Sequence, residues 1–184
     1  MAASKTIKHK VYTRYNGEKA PGSSCRRLIK RAVLAVLQSE EVDMPCVVSV
    51  LITDDKGIRK YNRNYRGINK ATDVLSFPMQ IFMQAGWSGR GDMEPDHDTG
   101  RLPLGDIVIS METVNKQAII CGNTVRQETA YLIIHSALHL LGYDHDNKSN
   151  EKKMKKRNRL IMRDITRSRC PLLLSAVKVG VQYR

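Results

Sequence analysis

Residues 135–145 read HSALHLLGYDH, and the spacing of the three histidines is the feature of this chain most suited to chemistry. On a helix, His135 and His139 project from one face a single turn apart, about 6 Å, a separation that one metal ion can span. Gly142 can stop that helix with a positive φ, so the chain reverses and His145 returns to the same point as a third nitrogen ligand. Three neutral imidazoles with one open position describe a catalytic zinc site, whereas structural zinc is usually closed by four protein ligands. His9 and His97 fall outside the pattern and are expected at the surface.

The same spacing occurs in the peptidase signature HExxHxxGxxH, which makes a zinc metallopeptidase the obvious rival. In those enzymes the Glu after the first His takes the proton from zinc-bound water. Here that position is Ser136, whose hydroxyl does not ionise near neutral pH, so peptidase chemistry lacks its base. Zinc can still lower the pKa of water toward about 7 or polarise a phosphoryl oxygen. A phosphodiester gains further from a guanidinium that neutralises charge in the transition state. Arg66 is the candidate for that role, and simple pairing with Asp73 or Asp106 is its alternative.

Composition points to the same class of substrate. Thirty-one Lys and Arg against 18 Asp and Glu leave a formal charge of +13, which favours polyanions. Between Lys148 and Arg169 ten basic residues face only Glu151 and Asp164, so this segment carries +8 of the excess. It reads either as a solvated basic helix face or as a direct RNA contact. With 184 residues, 41% of them hydrophobic, the chain is expected to form one catalytic domain over residues 1–184. No apolar run approaches the roughly 20 residues needed to cross a bilayer. The N-terminus MAASKTIKHK has no signal-peptide core, so a cytoplasmic protein without membrane contact is expected. Cys25, Cys46, Cys121 and Cys170 form no CxxC pair and read as reduced thiols.

The elements that must position the histidines are legible from periodicity and stop signals. Alternation predicts a strand over 7–12, and apolar Leu28, Ala32, Val33, Val36 and Leu37 predict one face of a helix opening at Ser24. CVVSVLIT (46–53) reads as a strand covered on both faces, DDKG as a turn, and 58–65 as a helix. DVLSFP is a short strand stopped by Pro78, and 80–103 reads as a long flap. LGDIVIS (104–110) is a further buried strand, followed by a helix over 111–121 that stops at Gly122. Thr124 and Gln127 match a capping box, so the helix bearing the histidines is expected to run from there to Leu141. A last helix is expected over about 149–165, while the tail after Arg169 is ambiguous between a docked strand and a frayed end.

Three segments in this order, NRNYRGINKATDVLSFP (62–78), PLGDIVIS (103–110) and HSALHLLGYDH (135–145), resemble the bacterial YbeY rRNA-maturation endoribonucleases. The resemblance covers about residues 45–165 and leaves the order of 166–184 open. It implies an α+β, zincin-like single domain with a mixed β-sheet packed by helices and the metal site on a helix and the following turn. The implied activity is zinc-dependent endonucleolytic cleavage of single-stranded RNA. Its implied setting is ribosomal RNA maturation, notably at the small-subunit 3′ end, and ribosome quality control, with ribosomal RNA and the ribosome or ribosomal proteins as partners. Carried over by residue, one Zn2+ would be held by His135, His139 and His145, and the functional arginine of the YRG segment is Arg66. Arg63 and Lys70 are further RNA-binding candidates, and Asp144 and Asp106 are possible acceptors orienting the imidazoles. RNA is expected in a basic groove between the histidine helix and the Arg66 segment. A non-enzymatic ribosome-assembly factor with a structural zinc is the alternative of another class. The segment NEKKMKKRNRLIM departs from the family in being basic where many members are acidic.

Overall fold

The computed structural model describes residues 7–18, 20–89, 91 and 93–167. Its centre is a four-stranded mixed sheet of order β1-β2-β4-β3, made by β1 (Lys10–Asn16), β2 (Cys46–Thr53), β3 (Val74–Pro78) and β4 (Leu102–Ser110). β1, β2 and β4 run parallel, and β3 closes one edge antiparallel to β4 with Val74 opposite Ile109. The first strand lies further along the chain than alternation alone predicted, because its limits are set by pairing with β2 from Val47 to Thr53. Pro78 ends the edge strand, where a missing N–H costs the ladder nothing.

Alternation along the strands separates two apolar layers. Val48, Val50, Ile52, Ile107 and Ile109 face α1 (Ser23–Ser39) and α4 (Val125–Leu140), together with α5 (Lys148–Arg167), and form the main core. Leu75 and Val108 point the other way and pack against Ile58 of α2 (Asp55–Arg66). β2 is therefore fully buried on the α1/α4 face but only half-buried at Val47, Ser49 and Leu51, since the short α2 covers little of the opposite face.

DDKG is not a free turn. The Asp54 side chain accepts a hydrogen bond from Gly57 N at 2.7 Å, which makes it the N-cap of α2; turn and helix-start chemistry share the same residue types. The helix ends at Gly67, φ 71°, whose N–H bonds to Arg63 O while Ile68 N–H bonds to Asn62 O. α3 (Met111–Ile120) follows β4 directly, with Ser110 as its N-cap. Residues 79–101 contain no helix or strand among the described residues, as expected of the flap. Its first part is nonetheless tied down, by Gly86 N–H to Leu141 O and by Trp87 Nε1 to Asp43 Oδ1, 2.8 Å.

Cys25, Cys46 and Cys121 are free thiols, and burial followed by the Asp43 charge pushes the Cys46 thiol up to about 12, so it is inert. Cys170 and the tail lie outside the described residues. No helix among the described residues is long and apolar enough to cross a membrane.

Candidate metal centre

α4 is apolar almost all round, with Leu132, Ile133, Ile134, Ala137, Leu138 and Leu140 buried between the sheet, α1, α3 and α5. Its start is held by the capping box, in which Gln127 N–H bonds to Thr124 Oγ1 and Thr124 N–H to Gln127 Oε1. Gln127, Tyr131, His135 and His139, each four residues from the next, form a half-buried stripe. The tyrosine ring stacks on His135 at 6.3 Å between centroids, a neighbour that the histidine spacing alone did not identify. Ser136 is fully buried inside the core and its hydroxyl has no partner. The position that holds the peptidase glutamate is thus a buried serine, which offers no carboxylate to act as base.

Gly142 has φ 79°, which terminates the helix and brings His145 back. A Cβ there would lie 2.5 Å from Phe82 Cβ, so the glycine also admits the flap. The Nε2 atoms of His135 and His139 are 3.3 Å apart, and His145 joins them with all three candidate ligand atoms within 4.8 Å of one another. Ligands at about 2.0–2.1 Å in a tetrahedral shell stand roughly 3.3 Å apart, so the first pair already spans one edge of that shell. Burial, then the neighbouring His139 and His145 charges, lower the His135 pKa to about 3, and burial followed by His145 lowers that of His139. Neutral imidazoles are the metal-binding form, and two nitrogens this close cannot both carry protons toward each other. The donor set therefore fits a divalent metal, and among the described residues no fourth histidine, cysteine or carboxylate joins the cluster.

A network invisible to local sequence reading positions the turn that carries His145. Tyr143 Oη donates to Glu40 Oε2 at 2.8 Å, and Arg157 pairs with Glu40 and donates to Ser39 O. Burial followed by the Glu40 hydrogen bond pushes the Tyr143 hydroxyl up to about 12, so it stays a donor. These residues are separated by 103 and 117 positions, beyond any motif.

The other candidates are placed differently. Asp144 Oδ1 accepts from the His145 backbone N–H at 2.7 Å, shaping the turn and leaving the ring alone. Asp106 shares a strand face with Val108, toward α2, and so points away from the histidines. His9 is half-buried and its Nδ1 is enclosed without a partner, unlike the surface position expected, whereas His97 is exposed. Arg66 is the last residue of α2, exposed, with no hydrogen bond or ion pair to Asp73 or Asp106 among the described residues. Arg63 and Lys70 are exposed beside it. Because α2 and α4 cover opposite faces of the sheet, the expected groove between them is not a single-face cleft; both helices reach the β3 edge instead.

The endoribonuclease YbeY family model matches residues 11–166 of this chain, well beyond the 45–165 span of the motifs. The chain belongs to the endoribonuclease YbeY family. Endoribonuclease YbeY of Caldanaerobacter subterraneus subsp. tengcongensis is 42% identical over 144 residues, 78% of this chain and 89% of that protein. The YbeY protein of Acetivibrio thermocellus is 40% identical over 144 residues, covering 77% and 87%. That of Clostridium kluyveri is 38% identical over 143 residues, covering 74% and 87%. A Thermotoga maritima protein solved in solution shares the fold, with TM-score 0.52 and 22% identity over 87% of this chain and 94% of the other. The YbeY match thus takes in β1 and α1, which frame the core beneath the histidine helix and carry no motif of their own.

Proposed function

We propose that this chain is a zinc-dependent endoribonuclease specific for single-stranded RNA, working as one catalytic domain in the cytoplasm. Its task on this reading is ribosomal RNA maturation, including the small-subunit 3′ end, and ribosome quality control, in contact with the ribosome or ribosomal proteins. The observation that carries the reading is the convergence of His135, His139 and His145 in a chain of the endoribonuclease YbeY family. The relatives bear the name endoribonuclease, and the formal charge of +13 suits a polyanionic substrate.

His135, His139 and His145 would hold the zinc, which would supply Lewis acidity toward a water or a phosphoryl oxygen. The chain supplies the rest. Burial keeps His135 and His139 neutral and in place, and the Tyr143–Glu40–Arg157 network fixes the turn that presents His145. Arg66, whose guanidinium has no ion pair among the described residues, neutralises charge on a phosphate, and a strand passing around the β3 edge meets Arg66, Arg63 and Lys70 on one side and the histidines on the other. Cleavage of a labelled single-stranded RNA by wild type, with metal content measured in parallel, tests this. His139→Ala should lose metal and activity together, and Arg66→Glu should keep the metal and lose activity by about a hundredfold or more. Equal cleavage by wild type and His139→Ala would overturn the reading.

A further inference from the structure

A cavity of about 790 Å³ opens between the flap, α5 and the turn at Gly142–Asp144 that immediately precedes His145. Lys153 and Lys156, three apart on α5, both line it and both are exposed. Neither takes part in an ion pair among the described residues, whereas Lys155 and Arg157 of the same helix are held by Glu151 and Glu40. The two ammonium groups thus face an open space whose lining carboxylate, Asp144, is engaged by the His145 backbone. Apolar surface completes the wall: Phe82, and Met83 and Leu160, which are 95% and 38% exposed. Paired cations beside flat apolar surface suit a nucleotide, with phosphate on the lysines and base against the apolar side chains.

We propose that this cavity is a binding subsite for the RNA strand adjoining the cleaved bond, with Lys153 and Lys156 each contacting a backbone phosphate. The turn that forms its floor also delivers His145, so a strand held here is led to the metal centre. This gives a role to basic residues of α5, a helix that otherwise packs through Met154, Ile161 and Ile165. The inference rests on the endoribonuclease reading and adds a substrate track to it.

The test compares three full-length proteins: wild type, Lys153→Glu/Lys156→Glu, and a charge-matched control, Lys152→Glu/Arg159→Glu, altered at exposed residues outside the cavity. Binding is read by fluorescence anisotropy with a 2′-O-methylated single-stranded oligonucleotide, which resists cleavage through the 2′-hydroxyl, at several salt concentrations. The cavity variant should bind roughly tenfold or more weakly, with a salt slope reduced by about 1.4, as two single-strand phosphate contacts require. The control should change far less. Equal weakening in both variants, or none in either, overturns the subsite and leaves the cavity to an acidic protein partner. Cleavage of the unmethylated oligonucleotide by wild type is followed separately. Its absence would defeat the endoribonuclease reading, while the binding comparison would still decide the subsite.

Discussion

Gly142 and Gly67 both adopt left-handed backbone, with φ of 79° and 71°, yet their surroundings differ. A side chain at Gly67 would meet nothing within 4 Å, so Gly67→Ala should cost only the conformational penalty of about 1 kcal/mol. At Gly142 the same change also drives a Cβ into Phe82 at 2.5 Å. Gly142→Ala should therefore cost about 2–4 kcal/mol and displace the turn bearing His145. Urea unfolding gives the stability difference, and calorimetric zinc titration should show weaker binding in Gly142→Ala but not in Gly67→Ala. The histidines themselves need little preparation, since burial already keeps His135 and His139 neutral.

Of the residues of α2 only Ile58 and Asn62 are buried, and the Asp55 carboxylate fastens the start of the helix. Asp55 accepts from Thr113 Oγ1 at 2.6 Å, Ser110 Oγ at 2.5 Å and Lys116 Nζ at 2.6 Å, while its own N–H bonds to Glu112 Oε2 at 2.9 Å. The start of α2 is thereby pinned to the β4–α3 junction, which fixes the helix that carries Arg66 at its other end. Burial pushes the Asp55 carboxyl up, but the hydrogen bonds from Lys116, Ser110 and Thr113 together outweigh it and hold the group below its ordinary 3.8. A folded-state pKa below the unfolded one contributes stability that is present above 3.8 and is lost as pH falls through the folded value. Asp55→Asn should thus cost about 1–2 kcal/mol at neutral pH, a figure kept modest because the side chain is 23% exposed. The gap from wild type should close on acidification below about pH 3.8 in denaturant titrations; a gap independent of pH would show that the carboxylate charge is not what anchors the helix.

For the molecule as a whole, the candidate metal site joins two parts of the chain, the central helix and the turn that leads into α5. His135 and His139 come from the central helix, and His145 from the exposed turn leading into α5. A ligand bound only by the folded state, at a free concentration 100-fold above its Kd, stabilises by about 2.7 kcal/mol. Chelation should accordingly lower Tm by roughly 5–10 °C for a chain of this size, and zinc should restore it. A scan unchanged by chelator and by zinc would show that the three imidazoles do not act together.

What the sequence by itself determined was whatever depends on neighbours along the chain. The capping box at Thr124 and Gln127, the turn-spaced pair His135 and His139, the glycine stop at 142 and the full extent of β2 all follow from short-range periodicity and stereochemistry. Ser136 in place of a glutamate was equally plain, because an absent functional group needs no fold to be seen. Tertiary structure alone decided the limits of β1, which depend on a partner strand far along the chain, and the N-cap role of Asp54, which local chemistry could not tell from a turn. It also decided that Glu40, Tyr143 and Arg157 brace the metal turn, and that α2 and α4 lie on opposite faces of one sheet. Side-chain spacing declares which groups can act together within an element. Which elements share a face is set by how the alternating strands divide their apolar residues between two layers, and that division exists only once the sheet has formed.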